Sequence, residues 1–186
     1  MLYDVTLPIT REILETAGKQ EGKVFQGHLG THFDVMNKDF PLSYCIRSAV
    51  LFDVTHVPSD SEISVSDIDI DLLKPDLFVG FVTGFIEKEG YGSRKYFKEH
   101  PQLSFELIDL LLQSGISLIG VDFAGVRRGK EHTPTDQRCA DQGTFIIENL
   151  YGLGSVPRTA NSLKAYTFPM RYTGQSGLPC RVVLET

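Results

Sequence analysis

Tryptophan is absent from this chain, and cysteine is scarce, with three in 186 residues. Cys45, Cys139 and Cys180 are odd in number and far apart, which excludes a full disulfide framework and a C-x-x-C metal site. They read as ordinary thiols in a reducing compartment. Positive charge is also in deficit: 18 Lys and Arg against 24 Asp and Glu give a net charge of -6. A phosphate backbone calls for clustered positive surface, so nucleic acid is excluded as a partner, whereas a small polar or anionic substrate is not. Long apolar runs are missing too. Nothing approaches the ~20 residues that span a bilayer, and the stretch at Leu110–Leu112 stops at Gln113, so no membrane partner is expected. The start, MLYDVTLPITREI, lacks the basic segment and apolar stretch of a signal peptide. The expectation is a cytoplasmic globular protein with one domain over 1–186, in line with the ~100–200 residues usual for a domain.

What is present suits a packed core: the chain is 41% hydrophobic, with 12 Phe and 7 Tyr. Short strand-like runs recur at Tyr3–Leu7, Val50–Val54, Leu77–Phe85, Ser117–Val121, Ala165–Pro169 and Arg181–Leu184. Several are too apolar for simple alternation, as expected of strands covered on both faces. Ser104–Ser114 is the best helix, with Ser104 as cap, Leu107, Leu110 and Leu111 at helical spacing, and Gly115 past its end. A second helix is expected from about Pro134 to Gly143. Asp67–Leu73 fits a short helix or an edge strand equally well. Helices mixed with many strands predict an α/β domain with a mixed sheet, closed or partly closed.

Chemistry concentrates in Gly27-His28-Leu29-Gly30-Thr31-His32-Phe33-Asp34. A helix would put His28 and His32 on one face but turn Asp34 away, and Gly30 and Thr31 weaken a helix. An extended chain puts 28, 30, 32 and 34 on one face, yet spreads 28 and 34 roughly 20 Å apart at ~3.3 Å per residue. The chain must therefore bend for all three side chains to meet, and Gly30 tolerates the bend. Two imidazoles and a carboxylate then make a three-ligand metal site with room for water or substrate. Chance surface histidines beside a turn are the competing reading.

Residues 28–34 also resemble the opening of H-x-G-T-H-x-D-x-P-x-H, the motif of the cyclase family of metal-dependent hydrolases, which includes bacterial kynurenine formamidase and isatin hydrolase. Asp4-Val5-Thr6-Leu7-Pro8-Ile9, Thr83-Gly84-Phe85, Tyr96-Phe97 with His100-Pro101 and Leu103-Ser104, and Gly120-Val121-Asp122 are similar to further family segments. Ile146-Ile147-Glu148-Asn149-Leu150 resembles I-x-E-N-L, and Gly177-Leu178-Pro179-Cys180-Arg181 resembles G-x-P-x-R. The resemblance implies a central mixed, barrel-like sheet with flanking helices, assembled as a homodimer or homotetramer. It implies His28, His32 and Asp34 as ligands of a zinc or manganese ion, with Asp34 able to bridge to a second ion and Glu148 as a ligand of that ion. It implies hydrolysis of a small amide, formamide or lactam.

The departures from the pattern bear on the same functions. The motif's proline is Met36, and its last histidine, the family's proton donor, is Lys38. The family's other histidine ligand aligns with Asp136, unless a small gap brings in His132, which otherwise reads as a solvated loop residue. Asp34, Asp136 and Glu148 form an oxygen-rich set, so one ion per chain is expected, with the second site weak or missing. Lys38 is a candidate general acid, a clamp for a substrate carboxylate, or an exposed side chain. His100 reads as structural, and Arg127-Arg128-Gly129-Lys130 as a solvated loop or an anion selector. A rival to the enzyme is a metal-retaining small-molecule binding protein with little or no turnover.

Overall fold

The computed structural model describes residues 1–17, 27–157 and 162–186. Its strands are β1 (Leu2–Asp4), β2 (His32–Asp34), β3 (Ile46–Asp53), β4 (Glu62–Ile63), β5 (Phe78–Val82), β6 (Gln102–Leu103), β7 (Leu118–Val121), β8 (Phe145–Glu148), β9 (Leu163–Pro169) and β10 (Gly177–Glu185). The α-helices are α1 (Arg11–Ala17), α2 (Phe85–Glu89), α3 (Arg94–Lys98), α4 (Phe105–Gln113) and α5 (His132–Asp141).

The main sheet runs β1-β10-β2-β8-β7-β5-β3-β9, and β9 pairs again with β10. That last pairing closes seven strands into a barrel, with β1 appended to β10. Closure removes the free edges that an open sheet would present. Strands β3, β5, β7 and β8 are mutually parallel, and β2, β9 and β10 run against their neighbours. The long β10 makes this possible. Its first residues pair with β2, its last with β1, and its other edge with β9.

Alternation along β5 shows how the two cores arise. Phe78 and Val82 point into the barrel beside Phe33, Leu118, Phe145 and Ile147, whereas Val79 and Phe81 face the helices. The barrel has to make room for the Phe78 ring. A Cβ on Gly120 would lie 2.5 Å from it, so glycine is required there by close approach. Outside, Leu107, Ile108 and Leu111 of α4 pack with Ile86 and Tyr96 against the sheet. Ser104 Oγ accepts from the Leu107 amide at 3.1 Å and caps α4 as its sequence predicts.

Three expectations shift. The strand foreseen to Phe85 stops at Val82, because Asp122 accepts from the Thr83 and Gly84 amides and Phe85 opens α2. The Asp67–Leu73 stretch holds two short 3-10 turns, Val65–Asp67 and Ile70–Leu72, instead of one element. And α5 begins at His132, two residues before Pro134, so His132 belongs to a helix. Cys45 and Cys139 are buried free thiols, and Cys180 is a half-buried one. Among the described residues, no helix is long and apolar enough to cross a membrane.

Candidate metal centre

Strand β2 is three residues long, and all three are buried. Its period of two sends Phe33 into the barrel and sets His32 and Asp34 together on the opposite face. The neighbouring strand completes the wall: β2 and β8 pair antiparallel with His32 opposite Glu148. Before β2 the chain turns at Gly30, whose φ of 70° lies in the left-handed region. This is the bend that the spacing requires. It brings His28 Nε2 to 3.1 Å from Asp34 Oδ1 and the two imidazole rings to 4.8 Å between centroids.

Helix α5 supplies the other wall. Residues i and i+4 share a helix face, so His132 and Asp136 point the same way. His132 Nε2 lies 2.8 Å from Glu148 Oε1 and 3.1 Å from Asp136 Oδ2. Two donor sets result, each with its ligand atoms within 4.8 Å of one another: His28, His32 and Asp34, and Asp34, His132, Asp136 and Glu148. Asp34 belongs to both. His132 and Asp136 are thus not alternatives, because the helix delivers both to the cavity. The four-residue interval between them is the signal for this, readable only if the helix is started early enough.

The fit to a cation rests on atoms left without partners. His32 Nε2, Asp34 Oδ2 and Asp136 Oδ1 are buried with no hydrogen bond among the described residues. Buried polar atoms are nearly always paired, so three in one cavity are informative. The rest of each side chain is well held. His32 Nδ1 lies 2.9 Å from the Gly30 carbonyl and donates to it, so that in the neutral ring the Nε2 lone pair faces the cavity. Asn149 fastens the same carbonyl with its amide nitrogen at 2.8 Å, while its side-chain oxygen accepts from Tyr96 Oη at 2.7 Å. Tyr91 Oη accepts from the Gly30 amide at 2.9 Å. Thr31 Oγ1 donates to the Asn149 carbonyl. The sequence reading did not find Tyr91, Tyr96 or Asn149 as supports of the ligand loop, since they come from distant segments.

Electrostatics match a place prepared for positive charge. Burial pulls the His32 pKa down, but the Asp34 and Glu148 carboxylates and the bond to Gly30 outweigh it and raise it to about 9. Burial likewise opposes His132, whose bonds to Asp136 and Glu148 lift it to about 11. Asp136 is pushed up to about 7, chiefly by burial and also by the Asp34 and Glu148 charges, with His132 acting against them. Asp34 is displaced downward against its own burial, by His32 and His28.

Lys38 lies elsewhere. The turn closed by its amide on the Val35 carbonyl carries its side chain along α5, where Nζ sits 2.7 Å from Asp141 Oδ1. It does not line the cavity that holds His28, His32, Asp34, His132, Asp136 and Glu148, which corrects the expectation of an acid over the centre. Arg127 is an internal cation as well. Its guanidinium binds Glu62, Glu131 and the Leu103 carbonyl and lies 4.2 Å over the Phe105 ring, so it is no solvated anion selector. His100 is structural: Nδ1 donates to the Pro101 carbonyl, and burial lowers its pKa to about 4.

The family model described as "Putative cyclase" matches residues 3–127, two thirds of the sequence. This chain belongs to the cyclase family. The match covers His28, His32 and Asp34, and the α5 and β8 donors lie beyond it. Solved structures extend the likeness in fold beyond the matched segment. One titled a potential metal-dependent hydrolase with cyclase activity is 26% identical, over 99% of this chain and 96% of that one, with a TM-score of 0.77. A predicted metal-dependent hydrolase from Bacillus stearothermophilus is 24% identical over 99% and 97%, with a TM-score of 0.76. Isatin hydrolase A from Labrenzia aggregata is 19% identical over 83% and 72%, with a TM-score of 0.70, and shares the fold. No curated protein matches the sequence.

Proposed function

We propose that this cyclase-family chain is a metal-dependent hydrolase of a small amide, formamide or lactam. The observation that carries the reading is the convergence of His32 Nε2, Asp34 Oδ2 and Asp136 Oδ1 on one cavity, all buried and without a hydrogen bond among the described residues. His28, His32 and Asp34 would hold one ion. Asp34, His132, Asp136 and Glu148 would hold a second more weakly, because the ion must displace the proton by which His132 already binds Asp136 and Glu148. Nitrogen and oxygen donors suit zinc or manganese. A divalent ion bound there would polarise a carbonyl and lower the pKa of water, which supplies a nucleophile at neutral pH.

The chain's own residues do the positioning. The Gly30 carbonyl fixes the His32 ring, and β2 fixes His32 and Asp34 on one rigid face. The cavity, of about 690 Å³, adjoins one of about 580 Å³ lined by Leu29, Ile13, Ile86 and Tyr91 together with Glu12 and Glu87, and His28 and Phe97 border both. An apolar substrate body can lie in the second while its scissile carbonyl reaches the first. Lys38, bound to Asp141, is not assigned a catalytic role.

The test is turnover of formanilide, simple amides and lactams by protein loaded with zinc, manganese or magnesium. Metal-dependent hydrolysis that a chelator abolishes supports the reading; metal binding with no turnover of any of them overturns it in favour of a metal-retaining binding protein. That second reading draws on the position of Lys38, which leaves the family's proton-donor place without its group. We also propose that the chain pairs in solution as a homodimer, since symmetric dimers are the commonest closed assembly. Sedimentation as a single 20.8 kDa species would refute the pairing.

A further inference from the structure

We propose that Arg94 and Lys98 form an anion subsite of the metal cavity, so that its substrates carry a carboxylate on an apolar body. The inference rests on the hydrolase reading above and narrows it to a substrate class.

Helix α3 is short but firmly placed. Ser93 Oγ accepts from the Tyr96 amide at 3.0 Å, and Tyr96 is fully buried with its hydroxyl on Asn149, the residue that fastens the Gly30 carbonyl. Arg94 and Lys98, four residues apart, share one face of this helix and line the metal cavity. Like charges one turn apart repel, so the pair weakens the helix that carries it.

Other cations of the chain are neutralised, although Arg128 and Lys130, which flank the cavity residue Gly129, have no carboxylate partner among the described residues. Lys95 of the same helix pairs with Glu89, Lys38 with Asp141, Arg127 with Glu62 and Glu131, Arg138 with Asp109 and Arg181 with Asp4. Among the described residues, Arg94 and Lys98 have no such carboxylate, in a chain whose acids outnumber its bases. Two cations without a carboxylate, in the wall of the cavity that holds the donor sets, are available to an incoming anion. Phe97 lies between them in sequence and borders both cavities, so an aromatic or aliphatic body can continue from the cations towards Tyr91 and Ile86. A planar carboxylate matches a guanidinium and an ammonium side by side, each bond being charge-assisted.

The test compares the 3- and 4-carboxylated formanilides, and a sulfonated formanilide, with formanilide itself on the zinc-loaded protein. The ratio of kcat/KM, carboxylated over neutral, should exceed one and fall at least about tenfold in R94Q/K98Q, the size of one charge-assisted hydrogen bond. R94K/K98R should retain the ratio, because charge is what is recognised. A sulfonate preferred equally marks a subsite for anions in general, and the substrate class then widens from carboxylates to anions. Should no formanilide turn over, the hydrolase reading is decided separately, by the amides and lactams. Binding of 4-aminobenzoate against aniline, by calorimetry, then decides the subsite: 4-aminobenzoate should bind tighter, and R94Q/K98Q should remove the difference. A ratio near one in the wild type, or one unchanged in R94Q/K98Q, overturns the proposal.

Discussion

His32 and Glu148 face one another across the antiparallel pair of β2 and β8, with Nε2 3.7 Å from Oε2. The imidazole belongs to the first donor set and the carboxylate to the second, and one strand register holds both. Metal binding and barrel closure are thereby tied together, since β2 owes its position to β8 on one edge and β10 on the other.

The shared position of Asp34 gives an asymmetric pattern of losses. Asp34→Ala should abolish binding at both sets, His32→Ala chiefly at the first, and His132→Ala only at the second. Each loss should exceed the roughly 10–100-fold that removing an outer-shell partner costs. Metal titration by calorimetry gives the stoichiometry, and a His132→Ala protein that loses both sites would refute the division.

Asn149 should act as such an outer-shell partner. Its φ of 59° is left-handed, so Asn149→Gly removes the amide without adding backbone strain. The expected result is a drop in metal affinity of roughly 10–100-fold with the fold retained. Unchanged affinity by competition with a chelator would show that Gly30 and His32 hold their places unaided.

Protons and metal should compete. His32 is raised to about 9 and His132 to about 11 in the metal-free fold, from 6.5. A raised imidazole pKa stabilises the fold fully below the unfolded value and loses that contribution as pH climbs through the folded one. Metal-free protein should therefore lose thermal stability between about pH 7 and pH 11. Ligand imidazoles must be neutral, so metal affinity should move the other way and rise with pH, releasing protons on binding. Metal affinity constant from pH 6 to 9 would contradict this.

Lys38→Ala should be nearly silent. Its pair with Asp141 is exposed on both sides, and such pairs add little to stability because solvent and salt screen them. The expected changes are a nearly unmoved midpoint in denaturant unfolding and at most about twofold in kcat/KM, well short of the roughly 10²–10⁴-fold that a general acid supplies.

Gly120→Ala should strain the barrel. The added methyl would meet Phe78 at 2.5 Å and Leu150 at 2.8 Å, and overpacking of this kind costs about 1–3 kcal/mol. A variant with an unchanged Tm would mean that the Phe78 ring can move aside.

Local order is what the sequence by itself determined. The Ser104 cap, the leucine spacing of α4 and the apolar strand runs were legible because each depends on neighbours a few residues away. The bend at Gly30 was legible for the same reason: two imidazoles and a carboxylate within seven residues cannot meet on a straight strand. The tertiary structure decided what depends on pairing between distant segments. The start of α5 at His132, not Pro134, brought a fourth donor to Asp34, Asp136 and Glu148. The turn after β2 gave Lys38 to Asp141, although the resemblance to the family motif implies the proton-donor position for Lys38. Arg94 and Lys98, two charges among many in the sequence, became a cavity wall only when Tyr96 pinned their helix to Asn149. A motif records which side chains a site can use. Where each one points is set by strand register and helix packing, which no short stretch of sequence contains.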